Sequence, residues 1–185
     1  MLERVDLLRG TPTARFTIAL PSREPVHMCH SLTRESQDCS DREFAVVVVE
    51  SEALLKLWRA ERNGYHTAIA AGNPATWASD SKFHWAAKGF ADGLANPVPL
   101  AQVSLEEYQP NERRSLLSRL SLTAGAKPYV TFSDGVTRTI WLLTYGAEAF
   151  PVKCRISSAI KLHRFAGKPG LKLLRNADML SMLSE

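Results

Sequence analysis

The sequence predicts an α/β (α+β) protein with mixed strands and flanking helices, because strand and helix patterns follow one another twice. Residues 44–49 (FAVVVV) form a continuous, mostly β-branched run that is typical of a strand buried on both faces. Residues 51–62 (SEALLKLWRAER) follow at once with apolar residues at helical spacing. Residues 126–133 (AKPYVTFS) and 136–147 (VTRTIWLLTYGA) repeat this strand-then-helix order.

Length and composition favour one cytoplasmic globular domain. The chain has 185 residues, of which 45% are hydrophobic, enough for a sizeable core. No apolar run approaches the roughly 20 residues that cross a bilayer. The N-terminal sequence MLERVDLLRG lacks the apolar centre of a secretory signal. Three cysteines, an odd and small number, fit a reducing compartment.

Residues 1–40 are predicted to be the least regular part, an N-terminal extension packed on the core. Residues 14–20 (ARFTIAL) predict a short strand and residues 21–25 (PSREP) a turn. Residues 27–41 (HMCHSLTRESQDCSD) are polar and are expected to form a loop. This segment contains His27, Cys29, His30 and Cys39, four residues of two types that bind zinc. Their spacing matches no familiar structural zinc site, so a polar loop without metal is the favoured interpretation. This segment therefore identifies no metal ligands.

The core is predicted to span residues 41–154. Its first helix, residues 51–62, has Ser51 as a candidate N-cap and Gly64 just after its end. Residues 99–105 (PLAQVSL) and 150–154 (FPVKC) predict further strands.

An amphipathic helix is predicted over residues 109–125 (QPNERRSLLSRLSLTAG). A second helix is expected within residues 79–93, capped by Ser79 or Asp80. It lies in an aromatic-rich stretch whose rings either stack nucleic-acid bases or fill a core, and the core is the favoured interpretation. The rings in question are Tyr65, Trp77, Phe83, His84, Trp85 and Phe90.

The C-terminal segment, residues 155–185, is predicted to be helical and basic. Residues 155–165 (RISSAIKLHRF) and 171–185 (LKLLRNADMLSMLSE) have helical spacing and are separated by GKPG. From Lys153 onward there are seven basic residues against two acidic ones, whereas the whole chain carries +4. Such a segment contacts nucleic acid, an anionic membrane surface or an acidic partner, or is simply a solvated basic helix. The candidate DNA contacts are Lys161, Arg164, Lys168 and Lys172.

The stretch SDGVTR, residues 133–138, predicts an anion-binding turn. A strand that ends in Asp134–Gly135 and leads directly into a helix leaves free backbone N–H groups at the positive end of the helix dipole. Arg138 lies in the first helical turn, where a guanidinium can bind phosphate bidentately, and Thr137 and Thr139 offer hydroxyl groups. The alternative is that Arg138 pairs with a surface acid. No G-x-x-x-x-G-K-[ST] loop occurs in the sequence, so nucleotide binding would use this turn.

Residues 97–154 resemble the ParB/sulfiredoxin superfamily, through the PLAQVSL strand, the Gly-x-x-Arg turn, the helix and the short PV strand. The phrases NPVPLAQVSL and FSDGVTRTIWLLTYGAEAFPVKC are more narrowly similar to the plasmid fertility-inhibition family, which includes oncogenic-suppression proteins. The resemblance implies a single ParB/sulfiredoxin-like domain associated with ATP hydrolysis and DNA cleavage. Val136 and Thr137 stand where sulfiredoxins need a cysteine, which argues against sulfiredoxin chemistry.

The resemblance also suggests which side chains act. Gly135 and Arg138 match the glycine and arginine of the motif, and Arg138 is the first catalytic candidate. Glu106 and Glu107 end the PLAQVSL strand, an end that is expected beside the turn, so Glu107 and Asp134 are candidates for holding a metal or orienting water. Further phosphate contacts are expected from Arg113 and Arg114, with a helix-surface charge pair as the alternative.

Two hypotheses of function follow from this resemblance. In the first, the protein blocks DNA transfer through a type IV secretion system by hydrolysing ATP, with a divalent cation such as magnesium, and by cleaving DNA. In the second, it is a non-catalytic inhibitor that binds the secretion coupling protein or the transferred effector. The contact surface would be the aromatic-rich stretch named above together with the basic C-terminal segment. A homodimer and a peripheral position at the inner membrane are further expectations.

Overall fold

The computed structural model describes residues 1–32, 43–108 and 127–183, which form two mixed β-sheets and seven α-helices. The first sheet has the order β1-β2-β3-β5 and the second β7-β6-β8-β4-β9. The strands are β1 Leu2–Leu8, β2 Thr11–Leu20, β3 Arg23–Ser31, β4 Phe44–Glu50, β5 Val98–Pro99, β6 Ala101–Tyr108, β7 Lys127–Asp134, β8 Ala149–Arg155 and β9 Leu174–Arg175. The helices are α1 Ser51–Arg59, α2 Thr67–Ala70, α3 Pro74–Ala78, α4 Phe83–Ala91, α5 Val136–Thr144, α6 Ile156–Ala166 and α7 Asn176–Ser181.

The predicted α+β class with mixed strands and flanking helices is confirmed, and the strands form two sheets. In the first sheet β1, β2 and β3 are antiparallel neighbours, and β5 joins β3 in parallel. In the second sheet β6 is antiparallel to β7 and parallel to β8, while β4 is antiparallel to both β8 and β9. One continuous hydrophobic core connects the two sheets and includes Phe16, Trp58 and Leu142.

The expectation of an irregular N-terminal region is wrong. Residues 2–31 form three strands, and the stretch HMCH lies in β3 instead of in a loop. The reason is alternation, since Val26, Met28 and His30 are buried while the residues between them are partly exposed. Two residues with positive φ, Arg9 at 53° and Gly10 at 80°, make the tight connection between β1 and β2. Cys39 lies outside the described residues.

The local strand and helix predictions around β4 and α5 are confirmed, with one change at α1. Strand β4 is buried on both faces, as the FAVVVV run indicates. Helix α1 begins at Ser51, but its N-cap is Glu50, and the Ser51 hydroxyl donates instead to the carbonyl of Ala147. Ser51 therefore ties α1 to the loop before β8, and its predicted capping role is wrong.

The C-terminal segment and the aromatic stretch also differ from expectation in part. Residues 174–175 form β9 on the edge of the second sheet, so the predicted last helix begins only at Asn176. Three of the aromatic side chains, Trp77, Phe83 and Phe90, are buried, as the favoured core interpretation predicts, whereas Trp85 is 60% exposed. The helix predicted over residues 109–125 lies outside the described residues. Within the part of the chain described, no helix is long and apolar enough to cross a bilayer.

A buried histidine joins the first sheet to the C-terminal helix. The His30 Nε2 atom lies 2.9 Å from Asn176 Oδ1, and both side chains are buried. Burial lowers the pKa of His30, with a smaller lowering from Lys153 and an opposing effect from the bond to Asn176. The folded protein therefore favours the neutral imidazole.

The free energy of unfolding is expected to decrease as the pH falls through about 6.5, the pKa of an unperturbed histidine. Below that pH the unfolded chain binds a proton at His30 that the folded chain disfavours, so protonation favours unfolding. Urea unfolding at pH 7 and pH 5 measures this loss. The variant His30→Gln, which does not titrate, should lose less stability between the two pH values, and the exposed-site control His84→Gln should match the wild type. Equal pH dependence in all three proteins would contradict the role of His30.

Candidate functional site

The predicted turn is present and has a geometry that only glycine satisfies. Strand β7 ends at Asp134, Gly135 adopts a left-handed conformation with φ of 87°, and α5 begins at Val136. A Cβ atom at Gly135 would lie 2.6 Å from both the Cα and the Cβ of Ala101. The turn therefore lies in close contact with the first residue of β6, and only a residue without a side chain fits at position 135.

The first turn of α5 leaves its backbone N–H groups available. Within the described residues, no side chain caps this helix. The N–H of Thr139 bonds to the carbonyl of Gly135, so the free donors belong to residues 136–138. These donors and the helix dipole together create a positive potential at the turn. An anion is the natural ligand for such a helix end.

Arg138 folds back over the turn and is mostly buried. Its side chain is 18% exposed, and its Nη2 donates to Asp134 Oδ2 at 2.6 Å. Its Nε is buried and has no hydrogen-bond partner among the described residues. The predicted pairing of Arg138 with an acid is therefore present, but it leaves one buried donor of the guanidinium unused.

The turn forms one wall of a cavity of about 330 Å³, and α4 forms the opposite wall. The lining combines two cationic side chains with small and apolar residues and with one carboxylate, that of Asp134, which Arg138 neutralises. The lining residues are Lys82, Trp85, Ala86, Gly89, Val98, Asp134, Gly135, Val136, Thr137 and Arg138.

The other predicted phosphate contacts divide into three groups. Thr137 lines the cavity, next to Gly135 and Arg138. Thr139 is fully buried and does not line it, so the structure places its hydroxyl in the interior. Arg113 and Arg114 lie outside the described residues.

Glu107 is not beside the turn, and the expectation that this end of the strand lies there is wrong. Strand β6 runs antiparallel to β7, so that Gln102 pairs with Asp134, and Glu107 pairs with Pro128. Five residues of strand at roughly 3.3 Å each place Glu107 about 17 Å from the turn. Its carboxylate instead accepts a hydrogen bond from Lys161 Nζ at 3.1 Å. Of the two acids proposed for catalysis, only Asp134 lies at the cavity.

The basic residues predicted to contact DNA lie on and after α6. Lys161, Arg164 and Lys172 are exposed, and Lys168 is partly buried. Helix α6 packs on β6 near Leu105, where the Ser158 hydroxyl exchanges hydrogen bonds with the Leu105 backbone. Lys161, which pairs with Glu107, therefore lies toward the end of β6 that is remote from the turn, whereas the backbone N–H of Lys168 bonds to the carbonyl of Val48 in β4.

Lys82 and Trp85 are among the cavity residues that were not predicted as site residues. Both appeared in the sequence only as part of the aromatic stretch. Their three-residue spacing places them on one face of α4, but which face points at the turn depends on how α4 packs on α5. Within the described residues, no group of three or more His, Cys, Asp or Glu side chains is arranged to bind a metal ion.

This chain is similar to a protein family, to a curated relative and to a solved structure. The family model of the plasmid fertility inhibition factor matches residues 46–167, a range that includes the turn. A curated relative, protein Osa of Shigella flexneri, is 31% identical over 123 residues. That alignment covers 66% of this chain and 56% of Osa, so the match spans only about half of the relative's length.

The fold is similar to a solved structure, a crystal structure of an oncogenic suppression activity protein described as a plasmid fertility inhibition factor. The TM-score is 0.66, and the superposition covers 98% of this chain and 83% of the solved one. The sequences are 24% identical, a level at which the likeness concerns the fold.

Proposed function

Because this chain belongs to the plasmid fertility inhibition family, we propose that it blocks plasmid DNA transfer through a type IV secretion system by nucleotide hydrolysis and DNA cleavage at the β7–α5 turn. The observation that carries the proposal is the cavity in which Gly135, the open end of α5 and Arg138 meet. Its chemistry suits a phosphate, as expected for the ParB/sulfiredoxin-like fold that the sequence resembles.

In this mechanism a phosphoryl group lies against residues 135–138. The free N–H groups of α5 and the guanidinium of Arg138 stabilise the negative charge that develops during transfer to water. The buried Nε of Arg138, which has no partner among the described residues, gains a partner when phosphate binds. An unsatisfied buried donor is costly, so this bond favours the bound state.

The residues at the cavity fit a magnesium ion that is bound together with the nucleotide. Magnesium usually binds through one or two carboxylates and the phosphates of the substrate, with waters completing its shell. Asp134 is the carboxylate that lines the cavity, and it is 63% exposed. Asp134, whose Oδ2 also accepts a hydrogen bond from Arg138, would therefore hold the metal, which would supply charge neutralisation at the phosphoryl oxygens.

The basic residues of α6 and of the segment after it would hold the DNA backbone during cleavage. Each Lys or Arg that neutralises a phosphate releases counterions, so DNA binding should weaken steeply with salt. Because Lys161 lies beside Glu107, about 17 Å along β6 from the turn, DNA held by Lys161 would extend along β6 to reach the turn.

The test is a paired measurement on the wild-type protein. Purified protein should release phosphate from ATP and nick plasmid DNA, both only with magnesium, and cells that carry it should transfer a co-resident plasmid less often. If transfer is inhibited fully while the pure protein shows no hydrolysis or nicking above a metal-free blank, the catalytic mechanism is overturned.

The alternative is a non-catalytic inhibitor that docks on the secretion coupling protein or on its substrate. It is favoured by α6, which exposes Ile160 (57%) and Phe165 (44%) next to Lys161 and Arg164. Such a mixed apolar and basic surface suits an acidic protein partner. Of the six aromatic rings that were expected to form this contact surface, three lie in the core, namely Trp77, Phe83 and Phe90. Replacing Ile160 and Phe165 by Ser should abolish inhibition and leave both hydrolysis and nicking intact only if docking is what inhibits.

A further inference from the structure

We propose that α4 supplies the base-recognition half of the nucleotide site, with the indole of Trp85 as the surface on which the base stacks. Lys82 provides a second cation for the phosphates. The inference rests on the proposed function, because it assumes that a phosphate group lies at the β7–α5 turn. The ligand class is then a purine or pyrimidine nucleotide instead of a bare phosphate. Trp85 is the residue that distinguishes these two ligands.

The residues of α4 that reach the cavity form one face of that helix. Lys82 is the N-cap, and Trp85, Ala86 and Gly89 follow at spacings of three and four residues. The adjacent face carries Phe83 and Phe90 into the core. Contact between the Phe90 and Trp141 rings, with centroids 4.4 Å apart, fixes α4 against α5. The cavity is therefore a gap between two packed helices that present different chemistry to it.

Trp85 is exposed in a way that core packing does not explain. Its side chain is 60% exposed, whereas Phe83 and Phe90 on the same helix are 8% and 5% exposed. The indole has two neighbours that do not bury it, the His84 ring at 4.6 Å and the Lys88 ammonium at 5.8 Å. An indole that lines a cavity and remains open to solvent offers a flat apolar surface to an aromatic ligand.

The rest of the lining matches the other parts of a nucleotide. Ala86, Gly89 and Val98 are small or apolar, and Gly89 leaves the space in front of Val98 open, since an added Cβ would lie 3.5 Å from Val98 Cγ2. Lys82 and Arg138 are the two cationic side chains of the lining. A cavity that combines an exposed indole, an apolar surface and two cations suits a base joined to phosphates, and its volume of about 330 Å³ is in the lower range for small ligands.

The test compares two ligands that share phosphates and differ in the base. The full chain is titrated by calorimetry, with magnesium, against a non-hydrolysable ATP analogue and against inorganic tripolyphosphate. Trp85→Ala should weaken binding of the analogue by about 5- to 150-fold, the usual range for loss of one base–aromatic stack. The same variant should bind tripolyphosphate as the wild type does. Trp85→Phe should restore most of the affinity, because phenylalanine keeps a ring at this position.

Tyr65→Ala is the matched control, because Tyr65 is a fully exposed aromatic residue outside the cavity. Tyr65→Ala should leave both affinities unchanged.

If the wild type binds the analogue and tripolyphosphate equally and Trp85→Ala changes neither affinity, base recognition is overturned and the phosphate turn stands. If the wild type binds neither ligand, the proposed phosphate site fails and this inference fails with it. If Trp85→Ala weakens only binding of a single-stranded oligonucleotide, the residue contacts DNA, and the mononucleotide assignment is overturned.

Discussion

Replacement of Arg138 by alanine is expected to lower nucleotide hydrolysis and DNA nicking by at least about 100-fold. Removal of one preorganised donor to a developing negative charge typically costs that much in rate. Inhibition of plasmid transfer should be lost with the activity, if catalysis is what inhibits. Initial rates of phosphate release and of plasmid nicking, each with magnesium, measure the effect.

The same substitution should change folding stability little. The bond that Arg138 makes goes to Asp134, which is 63% exposed, and such an ion pair contributes little to stability. The variant also removes a buried Nε that has no partner in the described part of the chain. Thermal melting of the two proteins should therefore give transition temperatures within a few degrees of each other.

Two further variants make the result specific to this arginine. Arg138→Lys keeps a positive charge without the planar fork, so its activity should lie between that of the wild type and of Arg138→Ala. Arg4→Ala removes the arginine of another Arg–Asp pair, 2.9 Å from Asp6, and should leave activity unchanged. Full inhibition of transfer by Arg138→Ala without hydrolysis would favour the docking mechanism. A strong loss of stability would instead show that Arg138 is structural.

The sequence predicted those elements whose signal is local. The run FAVVVV in β4 and the helical spacing in α5 each lie within about ten residues, and both elements form as expected. Strand β3 was missed because His27, Cys29 and His30 are polar and hide an alternation that only the pairing with β2 reveals. Strand β9 was missed because its leucine fits a helix equally well. Its pairing with β4, which the local sequence does not show, makes this segment a strand.

The residues of the candidate site divide in the same way, into those with a local sequence signal and those whose position depends on nonlocal contacts. Gly135 and Arg138 were predicted because the turn is built from consecutive residues. Glu107 was misplaced because the antiparallel register with β7, a nonlocal property, decides which end of β6 lies at the turn. Trp85 was not assigned to the site because its place at the cavity depends on the packing of α4 against α5.

Substitution of Gly135 by alanine is expected to destabilise the fold by about 2–4 kcal/mol, more than its backbone conformation alone explains. A left-handed conformation costs a non-glycine residue roughly 1–2 kcal/mol. In addition, the new Cβ would lie 2.6 Å from Ala101 Cα, a backbone atom that moves only if β6 shifts. At roughly 2–4 °C per kcal/mol for a domain of this size, the melting temperature should fall by about 5–15 °C.

Gly10→Ala separates the two causes. Gly10 has a similar φ of 80°, but an added Cβ would meet nothing within 4 Å. It should therefore carry only the conformational cost, a decrease of about 2–8 °C in the melting temperature. Equal decreases for the two variants would show that the close approach to Ala101 does not stabilise the turn. A larger decrease for Gly135→Ala would mean that the contact between the turn and β6, which holds Arg138 at the cavity, tolerates no side chain at residue 135.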